Sequence, residues 1–265
     1  MNEFYLEDIQ GVLVGKTTDN AINNGLFYGF STRMGGVSTG DLTSLNLGVN
    51  RPDTPENLQK NYDIFCDKIG VNAKDVVVAR QVHGVNIVII TSAETRGRIL
   101  STPLPDCDGL ITNDKNVALA IFFADCTPVL LYDETQKVLC LVHCGWRGTV
   151  GGFAGIGAEK MVKEYGSEYK NIHAVIGPCI SKCCFEVGNE VKEEFEKAGL
   201  GEFVTPKGEK FLVDLKGANK RFLEKAGVKN ITVASDCTMC HTDLYFSHRG
   251  CGESTGRMAV VAQIK

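Results

Sequence analysis

Five histidines and eleven cysteines carry most of the chemistry available to this 265-residue sequence. Three of them stand at breaks between apolar runs. His83 sits in Gln-Val-His-Gly, between two strand-like stretches. Cys126 lies in Ala-Asp-Cys-Thr-Pro, where an apolar strand breaks, and His143 closes the run Val138-Leu-Cys-Leu-Val-His. The strands after Cys126 and before His143 flank Asp133-Glu-Thr-Gln136. A tight hairpin centred on Glu134 and Thr135 sets Tyr132 opposite Lys137, Leu130 opposite Leu139 and Cys126 opposite His143. Opposed residues have Cβ atoms about 5 Å apart, and a one-residue slip would send one of the two to the other face. Cysteine and histidine at that distance have three uses. With His83 they make three ligands and an open position, as in catalytic zinc. Alone they make a nucleophile pair in which the imidazole stabilises the thiolate. Two histidines, a cysteine and a weak methionine make a copper site.

The elements that must position these residues follow from pattern. Thr54 to Ile69 reads as a helix, with a Thr-Pro start, Leu58, Tyr62, Phe65 and Ile69 at helical spacing, and Gly70 as the stop. Further helices are expected over about Gly155 to Tyr165, Glu190 to Ala198 and Leu215 to Ala226, the last two ending in Ala-Gly. Strand-like runs are Val76 to Val78, Ile87 to Thr91, Val117 to Ala124, Val129 to Tyr132 and Val138 to His143. Ala174 to Ile176, Ile231 to Ala234 and Met258 to Ile264 complete the set. Strands come in blocks as well as alternating with helices, which favours an α+β architecture. No repeat or Pro/Ser-rich linker divides the chain, so residues 1–265 read as a single domain.

Composition sets limits. A hydrophobic content of 43% and a charged content of 23% are ordinary for a globular core. The longest clean apolar run, Val117 to Ala124, is too short to span a membrane. A net charge of −4 gives no basic face for nucleic acid. The start MNEFYLEDIQ lacks the pattern of a secretory signal. A cytoplasmic location is therefore expected, where thiols stay reduced.

The motifs together resemble the laccase-domain family, also called multicopper polyphenol oxidoreductases, with purine nucleoside phosphorylases and a peptidoglycan editing factor among its bacterial members. The matching stretches are Phe30-Ser-Thr-Arg-Met-Gly-Gly-Val-Ser38, Asn46-Leu-Gly48, Gln81-Val-His-Gly84, Asp108-Gly-Leu-Ile-Thr112 and Ala124-Asp-Cys-Thr-Pro128. They continue with His143-Cys-Gly-Trp-Arg-Gly148, Gly177-Pro-Cys-Ile180, Cys184-Phe-Glu-Val-Gly188, Phe246-Ser-His-Arg249 and Thr255-Gly-Arg257. The resemblance implies a zinc held by His83, Cys126 and His143, these three as the catalytic residues, and an αββα-type fold with mixed sheets flanked by helices. It implies phosphorolysis of adenosine, inosine and methylthioadenosine, with adenosine deamination as a second reaction. The alternatives are a peptidoglycan-precursor editing amidohydrolase and a copper-dependent, laccase-like polyphenol oxidase. Cys107 and Cys144 stand where small residues are common in the family, and Arg249-Gly-Cys-Gly replaces the usual Arg-Arg-Asp.

Five histidines with no His-x-His pair argue against a four-copper oxidase. Copper could still enter a two-His, one-Cys site as an adventitious or alternative metal, because Cu(II) exceeds zinc in raw affinity. The implied partners are a nucleoside and phosphate, with neither nucleic acid nor membrane. Arginine suits bidentate phosphate binding. Arg33, in a Ser/Thr/Gly-rich segment, is the first choice, Arg147 the second, and Arg249 and Arg257 the third. Trp146 reads as a core anchor more than as a purine-stacking ring. Asp125 is a candidate acid/base, although strand alternation turns it away from Cys126. Cys237-Thr-Met-Cys240-His241 has the form of a haem attachment motif. With Cys179, Cys183 or Cys184 the same pair would make a four-thiolate knot, but no second Cys-x-x-Cys exists. These cysteines read as buried, inert thiols.

Overall fold

The computed structural model describes residues 2–94, 96–102, 104 and 106–265. The chain runs β1 (Phe4–Ile9), β2 (Val12–Thr17), α1 (Asn20–Gly25), β3 (Leu26–Ser31), α2 (Pro55–Ile69), β4 (Val76–Val78), β5 (Ile87–Ile89) and β6 (Gly109–Thr112). It continues with β7 (Ala118–Phe123), β8 (Thr127–Asp133), β9 (Val138–Cys144), α3 (Trp146–Val150), α4 (Phe153–Tyr165), β10 (Ile172–Ile176), β11 (Glu186–Val187) and α5 (Asn189–Lys197). It ends with β12 (Val204–Lys207), β13 (Lys210–Val213), α6 (Leu215–Ala226), β14 (Asn230–Val233), α7 (His248–Cys251) and β15 (Met258–Ile264).

Helix α2 shows how local sequence makes an element. Thr54 accepts the Asn57 N–H, Pro55 opens the first turn, and Gly70 closes the helix at a φ of 78°, where glycine carries no steric cost. Leu58, Tyr62, Phe65 and Ile69 are buried, as the helical spacing requires.

Two six-stranded sheets form the body. Their strand orders are β1-β2-β3-β15-β7-β4 and β14-β10-β8-β9-β6-β5. Leu119, Ile121, Phe123, Val260 and Ala262 of the first sheet meet Leu130, Tyr132, Leu139 and Leu141 of the second. The opposite face of the first sheet packs on α2 through Val76, Val78, Ala118 and Ala120. The opposite face of the second packs on α4 and α6 through Val129, Leu131, Cys140 and Val142. The expected α+β, αββα layering is therefore what forms. A third sheet, β11-β13-β12, packs with α5 beside this body. No helix among the described residues is long and apolar enough to cross a membrane.

The β8–β9 hairpin differs from the sequence expectation. Tyr132 pairs with Leu139, Asp133 with Val138, and Pro128 with His143. The loop holds Glu134 to Lys137, because Asp133 Oδ1 accepts the N–H groups of Thr135 and Gln136 and Lys137 takes a φ of 54°. The shift is two positions, so it preserves the face. Cys126, just before β8, and His143, near the end of β9, are diagonal neighbours on the side facing the other sheet.

One end of the sandwich collects the chemistry. At this end β7 of the first sheet passes to β8 of the second through Ala124-Asp-Cys126. The loop from β4 to β5 also crosses between the sheets there, and it carries His83. Strand β9 ends there with His143 and Cys144.

Candidate functional site

Asp108, fully buried just before β6, organises the centre. Its carboxylate accepts the backbone N–H groups of Val82, His83 and Gly84 at 3.2, 2.9 and 2.7 Å. These bonds hold His83 at a φ of 63°, a conformation costly for a side chain with a Cβ and sustained only by such constraint. Asp108 Oδ1 also lies 2.9 Å from His143 Nδ1. With Nδ1 occupied, His143 turns Nε2 toward the site. Sequence reading passed over Asp108, which appeared only inside a matching stretch.

His83, Cys126 and His143 bring one donor atom each to within 4.8 Å of one another. The imidazole rings stand 5.0 Å apart at 61°. Gly145 makes the close approach possible, since a Cβ there would lie 2.9 Å from His83 Nδ1 and 3.2 Å from Cys126 Sγ. Burial pushes the Cys126 thiol up, but the His143 charge and hydrogen bonds from both imidazoles outweigh it and draw the thiol below its ordinary value. Burial pulls His143 down, while the Cys126 thiolate and the Asp108 carboxylate hold it above its ordinary value. Neighbouring cysteines behave oppositely. Burial pushes Cys107 up to about 11 and both Cys140 and Cys179 up to about 12. Cys126 alone of these four is set to be a thiolate.

The three donors face a cavity of about 380 Å³, a size suited to a small-molecule ligand. Phe122, Trp146 and Phe185 give it aromatic walls, and Arg51, Arg249 and Arg257 give it positive charge. Burial, and then the Arg51 charge beside it, pulls the Arg257 guanidinium down to about 10. It stays protonated at neutral pH, and two cations held together favour an anion between them. His248 also lines the cavity.

The other candidates divide between the cavity wall and its surroundings. Arg33 does not line the cavity: its Nε donates to Thr43 O and its Nη1 to Thr242 O, both at 2.8 Å, and it covers the Phe246 ring. Arg147 lies over the Trp146 ring at 4.3 Å and lines a neighbouring groove with Glu190 and Lys210. Arg249 and Arg257 are at the cavity, joined by Arg51, which no motif had marked. Trp146 is half-buried and forms part of the cavity wall. Asp125, at a φ of 86°, accepts from Thr238 Oγ1 at 2.6 Å and from the Arg249 N–H at 2.7 Å. These bonds tie the loops of Thr238 and Arg249 to the turn before Cys126, and Asp125 also lines the cavity. Cys107 and Cys144 are fully buried and lie outside the cavity lining.

An αββα chain with an open centre of two imidazoles and one thiolate, facing a cationic aromatic cavity, defines an enzyme class. A family model described as multi-copper polyphenol oxidoreductase laccase matches residues 27–265, and the chain belongs to that family. A purine nucleoside phosphorylase of Deinococcus radiodurans is 38% identical over 234 residues, which cover 88% of this chain and 87% of that protein. Adenosine deaminase RL5, from an unknown prokaryotic organism, is 35% identical over 201 residues, 72% of this chain and 75% of that one. The crystal structure of Bacillus licheniformis hypothetical protein YfiH superposes with a TM-score of 0.91 at 32% identity and covers 99% of both chains.

Proposed function

We propose that this protein is a zinc-dependent purine nucleoside phosphorylase that also deaminates adenosine. The observation that carries the reading is that one cavity joins the His83–Cys126–His143 group to the Arg51–Arg257 pair. The names of the relatives agree with it.

The donor set fits zinc. Two imidazoles and a thiolate converge, and the fourth side opens to the cavity. Gly145 leaves room that any Cβ would fill. His83, Cys126 and His143 would hold the zinc, which would supply Lewis-acid chemistry at the cavity. Copper fits the same donors, but three ligands at one centre do not make the multi-copper array of an oxidase.

The chain's own residues do the rest. Phe122, Trp146 and Phe185 offer flat faces for a purine. Arg51 and Arg257 hold phosphate by charge-assisted hydrogen bonds. A phosphate oxygen forms the new bond to ribose C1′. The bond from C1′ to the base breaks, its electron pair leaves with the purine, and the purine takes up a proton. His248, the imidazole in the cavity wall besides the two donors, is the group placed to deliver that proton. In deamination the ribose bond stays intact: a water oxygen forms the new bond to purine C6, the bond from C6 to the 6-amino nitrogen breaks, and that nitrogen takes up the water's proton and leaves as ammonia.

Protein stripped by a chelator should form no ribose 1-phosphate from inosine and phosphate, and added zinc should restore the activity. Equal turnover by the stripped protein would refute the zinc requirement.

A further inference from the structure

Four cysteines outside the cavity converge from two loops. Strands β10 and β14 are parallel neighbours in the second sheet. The loop after β10 carries Cys183 and Cys184, and the loop after β14 carries Cys237 and Cys240. An isolated bridge between Cys179 and Cys237 keeps the two loops together beyond the sheet. The Sγ atoms of Cys183, Cys184, Cys237 and Cys240 all lie within 4.8 Å of one another. Cys240 Sγ stands 3.5 Å from Cys183 Sγ and 3.4 Å from Cys184 Sγ.

The sequence expectation of buried, inert thiols does not describe this group. Cys183 and Cys240 are exposed, Cys184 is half-buried, and only Cys237 is buried. All four are free thiols. The missing second Cys-x-x-Cys is supplied by a vicinal pair. Cys184 N and Phe185 N both donate to Ser181 O at 2.9 Å, and this turn brings both sulfurs of the pair to Cys240.

We propose that Cys183, Cys184, Cys237 and Cys240 hold a second metal ion, a structural zinc, separate from the centre at His83, Cys126 and His143. A tetrahedral zinc with sulfur at about 2.3 Å sets its sulfurs about 3.8 Å apart, near the separations found. An iron–sulfur cluster needs its cysteines farther apart, so a single ion fits better. The Ser181 N–H donates to Cys237 Sγ at 3.3 Å. Lys216 donates from Nζ to Ser181 Oγ and Asp236 O, which places a buried cation beside the loops. On binding, the four thiols release their protons to solvent and no electrons change hands.

The ion would brace the cavity. Ile180 and Phe185, on the first loop, line it. Thr238, between the two cysteines of the second loop, donates to Asp125 beside Cys126.

The test is metal stoichiometry on the full chain expressed with ample zinc. Two zinc ions per chain are expected in the unaltered protein. Cys126→Ala should keep one, and Cys240→Ser should also keep one. Cobalt loaded into Cys126→Ala should show the intense sulfur-to-metal and ligand-field bands of a tetrathiolate, a readout that holds even where Cys240→Ser fails to fold. A Cys126→Ala chain without zinc and without these bands would overturn the proposal. So would a Cys183–Cys240 or Cys184–Cys240 disulfide in the native protein in place of the ion.

Discussion

Asp108 and His143 form a buried carboxylate–imidazole pair, 2.9 Å between Oδ1 and Nδ1, and the same carboxylate fixes the backbone that presents His83. One side chain thus orients two of the three donors. Partners of this kind set tautomer and basicity, and their loss costs about 10–100-fold in metal affinity. Asp108→Asn should weaken zinc binding at this centre by that factor in a chelator competition. Unchanged affinity would mean that Asp108 serves folding alone.

Gly145 predicts a steric effect. Its φ is −66°, which any residue accepts, so the glycine is there for space. Gly145→Ala puts a methyl group against His83 Nδ1 and Cys126 Sγ. The variant should fold, with an unaltered circular dichroism spectrum, and bind zinc at this centre at least as poorly as Asp108→Asn. Full metal content with normal affinity would show that the donors can move apart freely.

Arg33 and Arg257 should behave differently. A hydrogen bond to a charged group contributes about 1.5–3 kcal/mol, so Arg257→Ala should raise KM for phosphate by about 10–100-fold. Arg33→Ala removes donors to Thr43 O and Thr242 O, and should lower thermal stability while leaving that KM nearly unchanged. A larger phosphate effect from Arg33 than from Arg257 would relocate the anion site.

His173 and Asp19 give a pH dependence. The Asp19 hydrogen bond raises His173 above its ordinary 6.5, against burial. Burial pushes Asp19 up, but the His173 hydrogen bond and charge and the Ile22 and Ala21 N–H groups hold it below its ordinary 3.8. The histidine's contribution is full below 6.5 and is lost as pH rises through the raised value. The aspartate's is present above 3.8 and is lost as pH falls through the depressed value. Urea midpoints should therefore fall as pH rises above 6.5, and His173→Gln should flatten that slope. An equal slope in the variant would place the titration elsewhere.

Much of this was legible where a local rule decides. Helices α2 and α6 follow from apolar spacing and their glycine stops. Strand β15 follows from one apolar run. The β8–β9 register did not, because both strands are buried on both faces and no alternation marks the pairing. Asp133, by capping its own turn, moved the loop. Strand β1 was missed because it is an edge strand with three exposed residues in six. The three donors were legible as residue types at strand breaks. Arg33 was not, since its sequence surroundings say nothing of the carbonyls of Thr43 and Thr242 that engage it. Arg51 lacks a local signature, and the four-cysteine group shows only half of one, Cys237-Thr-Met-Cys240, because its vicinal pair comes from a loop distant in sequence.

Metal-quantified protein should be incubated with adenosine, with and without phosphate, and the products separated. Adenine and ribose 1-phosphate that appear only with phosphate, beside a slower phosphate-independent release of inosine, are the expected result. Formation of none of these products by zinc-loaded protein would contradict the nucleoside reading of the cavity.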